Sequence, residues 1–217
     1  MDKNVFEIIY SDNDIVVLIK PVGLDSEKQL PDKIKEMLSG EVYTVHRLDK
    51  NVGGVMVYGR TKKAAAMLSK AIQNGEMIKE YVAMVHGVPP IEGDWTDYLF
   101  KDASKNKVFV VKRIRKGVKE ARLEYKRISE DQLSKVRIRL HTGRSHQIRV
   151  QMAKQLNLPI YGDFKYGDTD HAGHLALWAY ELKFVHPISK ENMRFTVAPD
   201  YNNLAFNLFK ETIEKTI

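Results

Sequence analysis

The 217-residue sequence contains no cysteine, no long apolar run and no tract that could act as a flexible linker. Without cysteine, disulfide scaffolds, thiolate zinc sites, iron–sulfur ligation and a cysteine nucleophile are excluded, and a reducing compartment such as the cytoplasm is expected. No stretch approaches the roughly 18 apolar residues of a membrane span. The first residues, MDKNVFEIIYSDND, also lack the pattern of a secretory signal. The sequence therefore predicts a cytoplasmic protein that neither spans a membrane nor is exported.

The nucleotide-binding and hydrolase motifs GxGxxG, GxxxxGK[ST] and GxSxG are absent as well. A bound nucleotide cofactor, P-loop chemistry and serine hydrolysis consequently have no support. No period of 20 to 50 residues repeats, so a solenoid is not indicated. With 43% hydrophobic and 9% aromatic residues the chain can bury a core, which excludes intrinsic disorder. We expect one domain spanning residues 1–217.

Positive charge is concentrated in one segment. The formal net charge is +7, but Lys101–Val150 holds sixteen Lys or Arg against five Asp or Glu, which leaves the rest of the chain slightly acidic. A local basic block indicates a surface that binds a polyanion, because neutralised phosphates release counterions. The alternative is a solvated basic hairpin.

The pattern of apolar residues predicts strands in hairpins more often than alternating strands and helices. We expect an α+β fold, with a bent, mixed and largely antiparallel sheet flanked by helices and a central active-site cleft. The predicted strands include IVVLIK, YTVHRLD, GGVMVYGRT, IKEYVAMVHG, a pair formed by KVFVVKR and KEARLEYKRIS around Gly117, SKVRIRLH, ALWAYELKFVHP and MRFTVA. The predicted helices lie near Lys33 to Leu38, after a Thr61 cap and before Gly75, from Ser145 to Leu156, and near the C-terminus.

The tetrapeptide HRLD, residues 46–49, could carry chemistry. If the preceding strand persists, Arg47 and Asp49 share one face, and the guanidinium would favour the ionised carboxylate. Asp49 could then act as a nucleophile or a base. The alternative is a surface ion pair of little energetic value. Gly53 and Gly54, which follow, would let the backbone pass close to a ligand.

The segment LHTGRSHQIRVQM, residues 140–152, is dense in hydrogen-bond donors. Its hydrogen-bond donors include His141, Arg144, His146, Gln147 and Arg149, which lie just before or early in a predicted helix. A helix N-terminus adds further donors for anions, so we expect some of these groups to face a phosphate or a carboxylate. The alternative is a basic, solvated first turn.

Two loops give weaker signals. GDFKYG, residues 162–167, is bracketed by glycines, and its aromatic rings could stack on a base. DTDHAGH, residues 168–174, suggests a metal site made of Asp168, Asp170, His171 and His174. Two histidines three residues apart, without HExxH or a cysteine partner, are a poor zinc signature, and a solvated loop is the alternative.

Taken together, these blocks resemble the RluA-type family of RNA pseudouridine synthases. The resemblance covers about residues 5 to 198, and it lies in HRLD with Gly54, KEYVAMVHG, KGVKEARLEYKRI, HTGRSHQIRVQM, GDFKYG and LALWAYELKFVHP, in the family's order. It implies a single catalytic domain with the active site in a cleft across its sheet. Many relatives carry an N-terminal S4 RNA-binding domain, and we expect none here. Val52 and Gly53, and Trp178, depart from the family pattern.

The resemblance also implies the reaction, which isomerises uridine to pseudouridine in ribosomal or transfer RNA without a cofactor or a metal. By resemblance, Asp49 is the catalytic carboxylate, Arg149 pairs with it, and Tyr81 stacks on the uracil. Arg47 is similar to the family arginine that fills the space of the flipped base or binds phosphate. Further RNA contacts are expected from Arg144, His146 and Gln147 and from the basic residues Lys112 and Lys116.

Two other functions remain as alternatives. One is a relative that binds RNA without isomerising it, and the other is a metal-dependent hydrolase that uses the DTDHAGH loop. RNA is the expected partner. We expect a monomer that requires no protein partner and does not bind a membrane.

Overall fold

The computed structural model describes residues 6–169 and 174–199. It divides into two compact units: the first comprises the described residues up to 79 together with 179–198, and the second comprises those from 80 to 178 together with residue 199. None of the described helices has the length and apolar character needed to cross a membrane. The predicted C-terminal helix lies outside the described residues, and the prediction of a single domain stays a prediction.

The first unit contains six strands and two helices. Its strands are β1 (Glu7–Ser11), β2 (Ile15–Lys20), β3 (Tyr43–Thr44), β4 (Gly53–Gly59), β10 (Leu177–Val185, whose first two residues belong to the second unit) and β11 (Asn192–Thr196), and its helices are α1 (Gln29–Leu38) and α2 (Lys62–Gln73). The strands lie in the order β1-β2-β4-β10, with β3 paired to β4 and β11 to β10. The pairs β1–β2, β2–β4, β3–β4 and β10–β11 are antiparallel.

The apolar runs of β2 and β4 form the core of the first unit. Ile15 and Val17 of β2 and Val55 and Val57 of β4 pack with Leu68 of α2 and their neighbours on one face of the sheet. All seven residues of β4 are buried, so both of its faces are covered, and a strand buried on both faces needs a continuous apolar run.

Two local predictions in this unit are confirmed. The Thr61 side chain accepts a hydrogen bond from the Ala64 amide at 3.1 Å and caps α2, as predicted for the first turn of a helix. Gly75 follows α2 with a φ of +74°, the conformation that favours glycine after a helix. Local capping chemistry therefore sets both ends of α2.

Gly54 has a structural role that differs from the predicted approach to a ligand. Its φ is +125°, and a Cβ placed there would lie 2.2 Å from the carbonyl oxygen of Ala179. Only glycine therefore lets the backbones of β4 and β10 approach this closely.

The second unit contains β5 (Ile78–His86, whose first two residues belong to the first unit), β6 (Glu92–Asp102), β7 (Lys107–Val111), β8 (Val118–Arg127), β9 (Leu133–Leu140) and α3 (Gln147–Gln155). The strand order is β5-β9-β8-β6-β7, and each of these pairs is antiparallel. Leu99, Val108 and Ala121 from the sheet pack against Val150 of α3. The helix thus covers one face of β6 and its neighbours.

The expected pairing of KVFVVKR with KEARLEYKRIS is wrong, because β6 lies between β7 and β8. Strand β6 was not predicted from the sequence. Only two of its eleven residues, Asp97 and Leu99, are buried, so its sequence lacks a row of alternating apolar residues. Asp97 is satisfied inside the unit: Gln151 and Gln155 of α3 donate hydrogen bonds to its two carboxylate oxygens at 2.7 and 2.6 Å. A buried carboxylate at the centre of a strand removes the apolar alternation that would identify it.

Candidate active site

Asp49 lies in a tight turn of the first unit, between β3 and β4. Its carbonyl oxygen accepts a hydrogen bond from the Val52 amide at 2.9 Å, and the residue is half-buried. The strand predicted to run through HRLD ends at Thr44. The strand predicted through HRLD is therefore wrong, and strand alternation gives no support for placing Arg47 and Asp49 on one face.

Hydrogen bonds fix the residues on both sides of Asp49. The Ser26 hydroxyl donates to the carbonyl oxygen of Leu48 at 2.8 Å and accepts from the Leu48 amide at 3.2 Å. On the other side, the carbonyl oxygen of Lys50 accepts from the Gly23 amide at 2.8 Å. Because the segment after β2 makes both contacts, the backbone that carries Asp49 is held rigidly, as a catalytic carboxylate requires.

Lys20 places a buried amine near this turn. The residue is fully buried, and its Nζ donates to the carbonyl oxygens of Pro21 at 2.9 Å and Lys50 at 3.3 Å. Desolvation lowers the pKa of Lys20 to about 8, although the negative charges of Asp49 and Asp25 oppose that shift. The charge of Lys20 is thus coupled to Asp49. Lys20 was not among the residues predicted from the sequence, where its signal is a lysine that ends an apolar strand before a proline.

His46 ties the same loop to β4 and does not titrate near neutral pH. Its Nε2 accepts a hydrogen bond from the Val57 amide at 3.1 Å, so the neutral ring carries its proton on Nδ1. Desolvation, aided by the positive charge of Lys79, lowers the pKa of His46 to about 3. The neighbouring Arg47 is exposed, and its Nη1 lies 2.8 Å from Oε2 of Glu27. The RNA contact predicted for Arg47 stays a prediction.

In the second unit, Arg149 and Asp163 form a buried, two-pronged ion pair. Arg149 Nε donates to Asp163 Oδ2 and Nη2 to Oδ1, both at 2.7 Å, and the side chains are 8% and 1% exposed. A bidentate guanidinium–carboxylate pair fixes the orientation of both groups. Asp163 was not among the residues predicted from the sequence, although a carboxylate directly after Gly162 in a short loop is a usable signal. The predicted pairing of Arg149 with Asp49 stays a prediction.

Tyr166, from the GDFKYG loop, organises the start of α3. Arg149 Cζ and Lys107 Nζ lie 5.2 and 5.4 Å from the centroid of its ring, within the range of cation–π contacts. Its hydroxyl accepts from the Val108 amide at 2.9 Å and lies 2.8 Å from His146 Nδ1. Tyr166 thus makes contacts within its own unit, and base stacking by this loop stays a prediction.

His146 and Gln147 begin α3 and mainly shape the preceding loop. His146 has a φ of +50°, which is strained for a residue other than glycine. The Oε1 of Gln147 accepts from the Thr142 hydroxyl at 2.7 Å and from the Arg144 amide at 3.0 Å, and its Nε2 donates to the carbonyl oxygen of Arg122 at 3.1 Å. Gln147 thus stabilises the loop, and its contact with RNA stays a prediction.

The remaining predicted site residues lie at different depths in the second unit. Tyr81 is 8% exposed and faces Ile138 across β5 and β9. Lys112 and Lys116 are exposed in the connection between β7 and β8, and Arg144 is exposed before α3. Their proposed roles in stacking and RNA binding stay predictions.

Only two of the four residues predicted to form a metal site in the DTDHAGH loop, Asp168 and His174, are among the described residues. Asp170 and His171 lie outside the described residues, and among the described residues no group of three or more His, Asp or Glu side chains is arranged to hold a metal ion. Asp168 is buried and accepts a hydrogen bond from the Gly162 amide, while His86 Nε2 lies 2.9 Å from its Oδ1. His174 is exposed. Asp168 therefore stabilises the adjacent loop.

Known proteins match this chain over most of its length. The profile of the RNA pseudouridylate synthase family matches residues 14–154. The chain is 35% identical over 158 residues to the uncharacterized RNA pseudouridine synthase YjbO of Bacillus subtilis, covering 71% of this chain and 54% of the relative. It is 30% identical to the tRNA pseudouridine synthase C of Pasteurella multocida, covering 89% and 91% of the two chains.

A ribosomal large subunit pseudouridine synthase D of Vibrio cholerae is 30% identical, over 87% of this chain and 65% of its own. The chain thus spans about half to two thirds of two of these relatives and nearly all of the third. In three dimensions it is similar to the human RNA pseudouridylate synthase domain containing 4, with a TM-score of 0.76, 24% identity and coverage of 94% and 93%. This similarity confirms the predicted fold class.

Proposed function

Because this chain belongs to the RluA-type family of RNA pseudouridine synthases, we propose that it is an isomerase that converts uridine to pseudouridine in structured RNA. The observation that carries the proposal is the family match over residues 14–154, which includes Asp49, Tyr81 and Arg149. Relatives named for ribosomal and for transfer RNA are equally similar to the chain, so the proposed substrate is RNA of either kind.

The proposed reaction is balanced without a cofactor. The bond from ribose C1′ to uracil N1 breaks, the base turns, and C5 bonds to C1′. The proton lost from C5 is matched by a proton gained at N1, so no electrons are transferred and no group leaves. The protein must supply a carboxylate, a pocket that retains the detached uracil, and a means to extract the nucleotide from structured RNA.

We assign the carboxylate to Asp49, in the role of nucleophile or base. Its turn is held by Ser26 on one side and by Gly23 on the other, so the side chain starts from a defined backbone position. Preorganisation of this kind lowers the cost of reaching the transition state. By the same family argument, Tyr81 is proposed to stack on the uracil, and Arg149 to keep the catalytic carboxylate ionised and oriented.

The test compares Asp49→Asn with a control, Asp32→Asn, which makes the same change at an exposed residue of α1. Both proteins are assayed for tritium release from RNA that contains 5-tritiated uridine, and their RNA affinity is measured in parallel. We expect Asp49→Asn to release no tritium and to bind RNA as the wild type does, because a carboxylate contributes little to phosphate binding. Turnover by Asp49→Asn would disprove the role of Asp49.

Wild-type protein that binds RNA but releases no tritium would instead indicate a non-catalytic relative. A monomeric, cytoplasmic protein is part of the same proposal. Light scattering of the purified protein and its distribution between cell fractions test those two statements.

A further inference from the structure

The second unit carries a small basic cleft at the open end of the face that α3 covers. We call it the basic cleft, and Lys101 of β6, Lys119 of β8 and Arg144 of the loop before α3 supply its cations. Its volume is about 190 Å³. Since a water molecule takes up about 30 Å³, the cleft has room for a phosphate group and a few waters.

The pairing of the strands explains why these cations converge. Leu99 faces Lys119 across β6 and β8, and Lys101 faces Val108 across β6 and β7. Residues two apart on a strand share a face, so Lys101 and Lys119 lie on the same side as the apolar contact of Leu99 and Val108 with α3. The two lysines therefore lie at the edge of this apolar contact.

Arg144 is oriented toward this position by the backbone. Its Nε donates a hydrogen bond to the carbonyl oxygen of Glu120 at 2.7 Å, which fixes the plane of the guanidinium and leaves the terminal nitrogens to meet a ligand. Gly117 and Gly143 also line the cleft, so parts of its wall carry no side chain that would shield an anion.

Charge in the cleft is unbalanced, in contrast to much of the second unit. No carboxylate lines it, and its three cations form no ion pair among the described residues. Elsewhere in the unit several arginines have acidic partners: Arg122 pairs with Asp94, Arg127 with Glu130, Arg137 with Glu80 and Arg149 with Asp163. Three uncompensated cations around one small volume repel one another unless an anion joins them.

We propose that the basic cleft binds one backbone phosphate of the RNA, independently of base sequence. This inference rests on the RNA binding in the proposed function. A phosphodiester suits the cleft because it is a compact anion that accepts hydrogen bonds from lysine ammonium and arginine guanidinium groups together. The contact would fix the register of the RNA on the second unit.

The test measures how RNA affinity depends on salt for the Lys101→Gln/Lys119→Gln variant. The probe is a synthetic stem-loop RNA with uridines in its loop. The matched control is Lys126→Gln/Arg139→Gln, which also removes two charges from exposed residues of the same sheet; Lys126 is on the same strand as Lys119 but an odd number of residues away, so it faces the other side. Circular dichroism and unfolding midpoints verify that both variants fold.

We expect the cleft variant to bind about tenfold more weakly, since it can no longer donate charge-assisted hydrogen bonds to the phosphate. Its log–log salt slope should fall by about 0.7 to 0.9, the value for one phosphate contact, while the control keeps the wild-type slope. An unchanged slope in the cleft variant, or an equal fall in the control, would overturn the proposal.

The proposed function has a separate readout. Tritium release by the wild type tests isomerisation whatever the cleft does. If the wild type isomerises uridine and the cleft variant keeps its salt slope, only the cleft proposal fails. If the wild type does not bind the RNA at all, both fail.

Discussion

Replacing Asp163 by Asn is expected to destabilise the protein strongly, because it removes the buried carboxylate that accepts two hydrogen bonds from the Arg149 guanidinium. The substitution is nearly isosteric, so it changes charge more than packing. In the wild type, two hydrogen bonds of 2.7 Å join the guanidinium to the carboxylate. The side chains are only 8% and 1% exposed, so water cannot replace the missing carboxylate.

The expected magnitude follows from the burial of this pair. Removing one partner of a buried ion pair costs about 3 to 5 kcal/mol, since the remaining charge stays desolvated after losing a counter-charge. In a chain of 150 to 250 residues, each kcal/mol lowers the melting temperature by roughly 2 to 4 °C. Asp163→Asn should therefore melt about 6 to 20 °C below the wild type.

The assay is thermal and urea unfolding followed by circular dichroism, with Asp94→Asn as the matched control. Asp94 also receives two hydrogen bonds from one arginine, at 3.0 and 2.8 Å from Arg122, but the side chains are 51% and 43% exposed. Exposed ion pairs contribute little, so Asp94→Asn should melt close to the wild type. The two ion pairs have similar geometry and differ mainly in burial, so the two variants isolate the effect of burial.

A double variant separates the ion pair from the packing of its side chains. Arg149→Met/Asp163→Leu removes both charges and should be more stable than Asp163→Asn, since neither buried charge of the pair remains. If Asp163→Asn were no less stable than Asp94→Asn, burial would not be what makes the Arg149–Asp163 ion pair costly to break.

Three further predictions concern metal, RNA and pH. Tritium release should be indifferent to EDTA once the RNA is folded; loss of activity that a divalent ion restores, with RNA structure unchanged, would support a metal-dependent mechanism. Lys112→Gln/Lys116→Gln should lower the salt slope of RNA binding by about 0.7 to 0.9 for each phosphate that these lysines neutralise, and a wild-type slope would place them off the RNA. Lys20 has a folded pKa of about 8, below its unfolded value, so the unfolded chain binds more protons between about pH 8 and 10.5 and wild-type stability should rise over that window. Between these pH values the free energy of unfolding of the wild type should rise by on the order of 3 kcal/mol more than that of Lys20→Met. A difference between the two proteins that does not change with pH would contradict this.

Features that depend on near neighbours can be predicted from the sequence. The Thr61 cap of α2, the buried strand IVVLIK and the alternation in β9 are all visible in residues a few positions apart. The predicted helix from Ser145 to Leu156 is observed as Gln147–Gln155. The helix starts later than predicted because His146, with a positive φ, precedes the first helical residue.

Features that depend on distant partners cannot be predicted in the same way. The position of β6 between β7 and β8 could not be predicted, because Asp97 is buried at the centre of that strand. The partners of Asp97, Gln151 and Gln155, lie more than 50 residues away in the sequence. The local pattern of HRLD allows a strand, which the structure does not form. The observed turn depends on Ser26, which lies 22 residues before Leu48.

The sequence by itself determined the order of the motif blocks, most of the regular elements and the candidate site residues Asp49, Tyr81 and Arg149. Only the tertiary structure decided which charges are buried and what they contact: Asp163 as a partner of Arg149, Lys20 with its lowered pKa, and the three cations of the basic cleft. The physical reason is range. Periodicity and capping arise from adjacent residues, whereas desolvation and charge pairing are set by groups that the fold brings together from far along the chain.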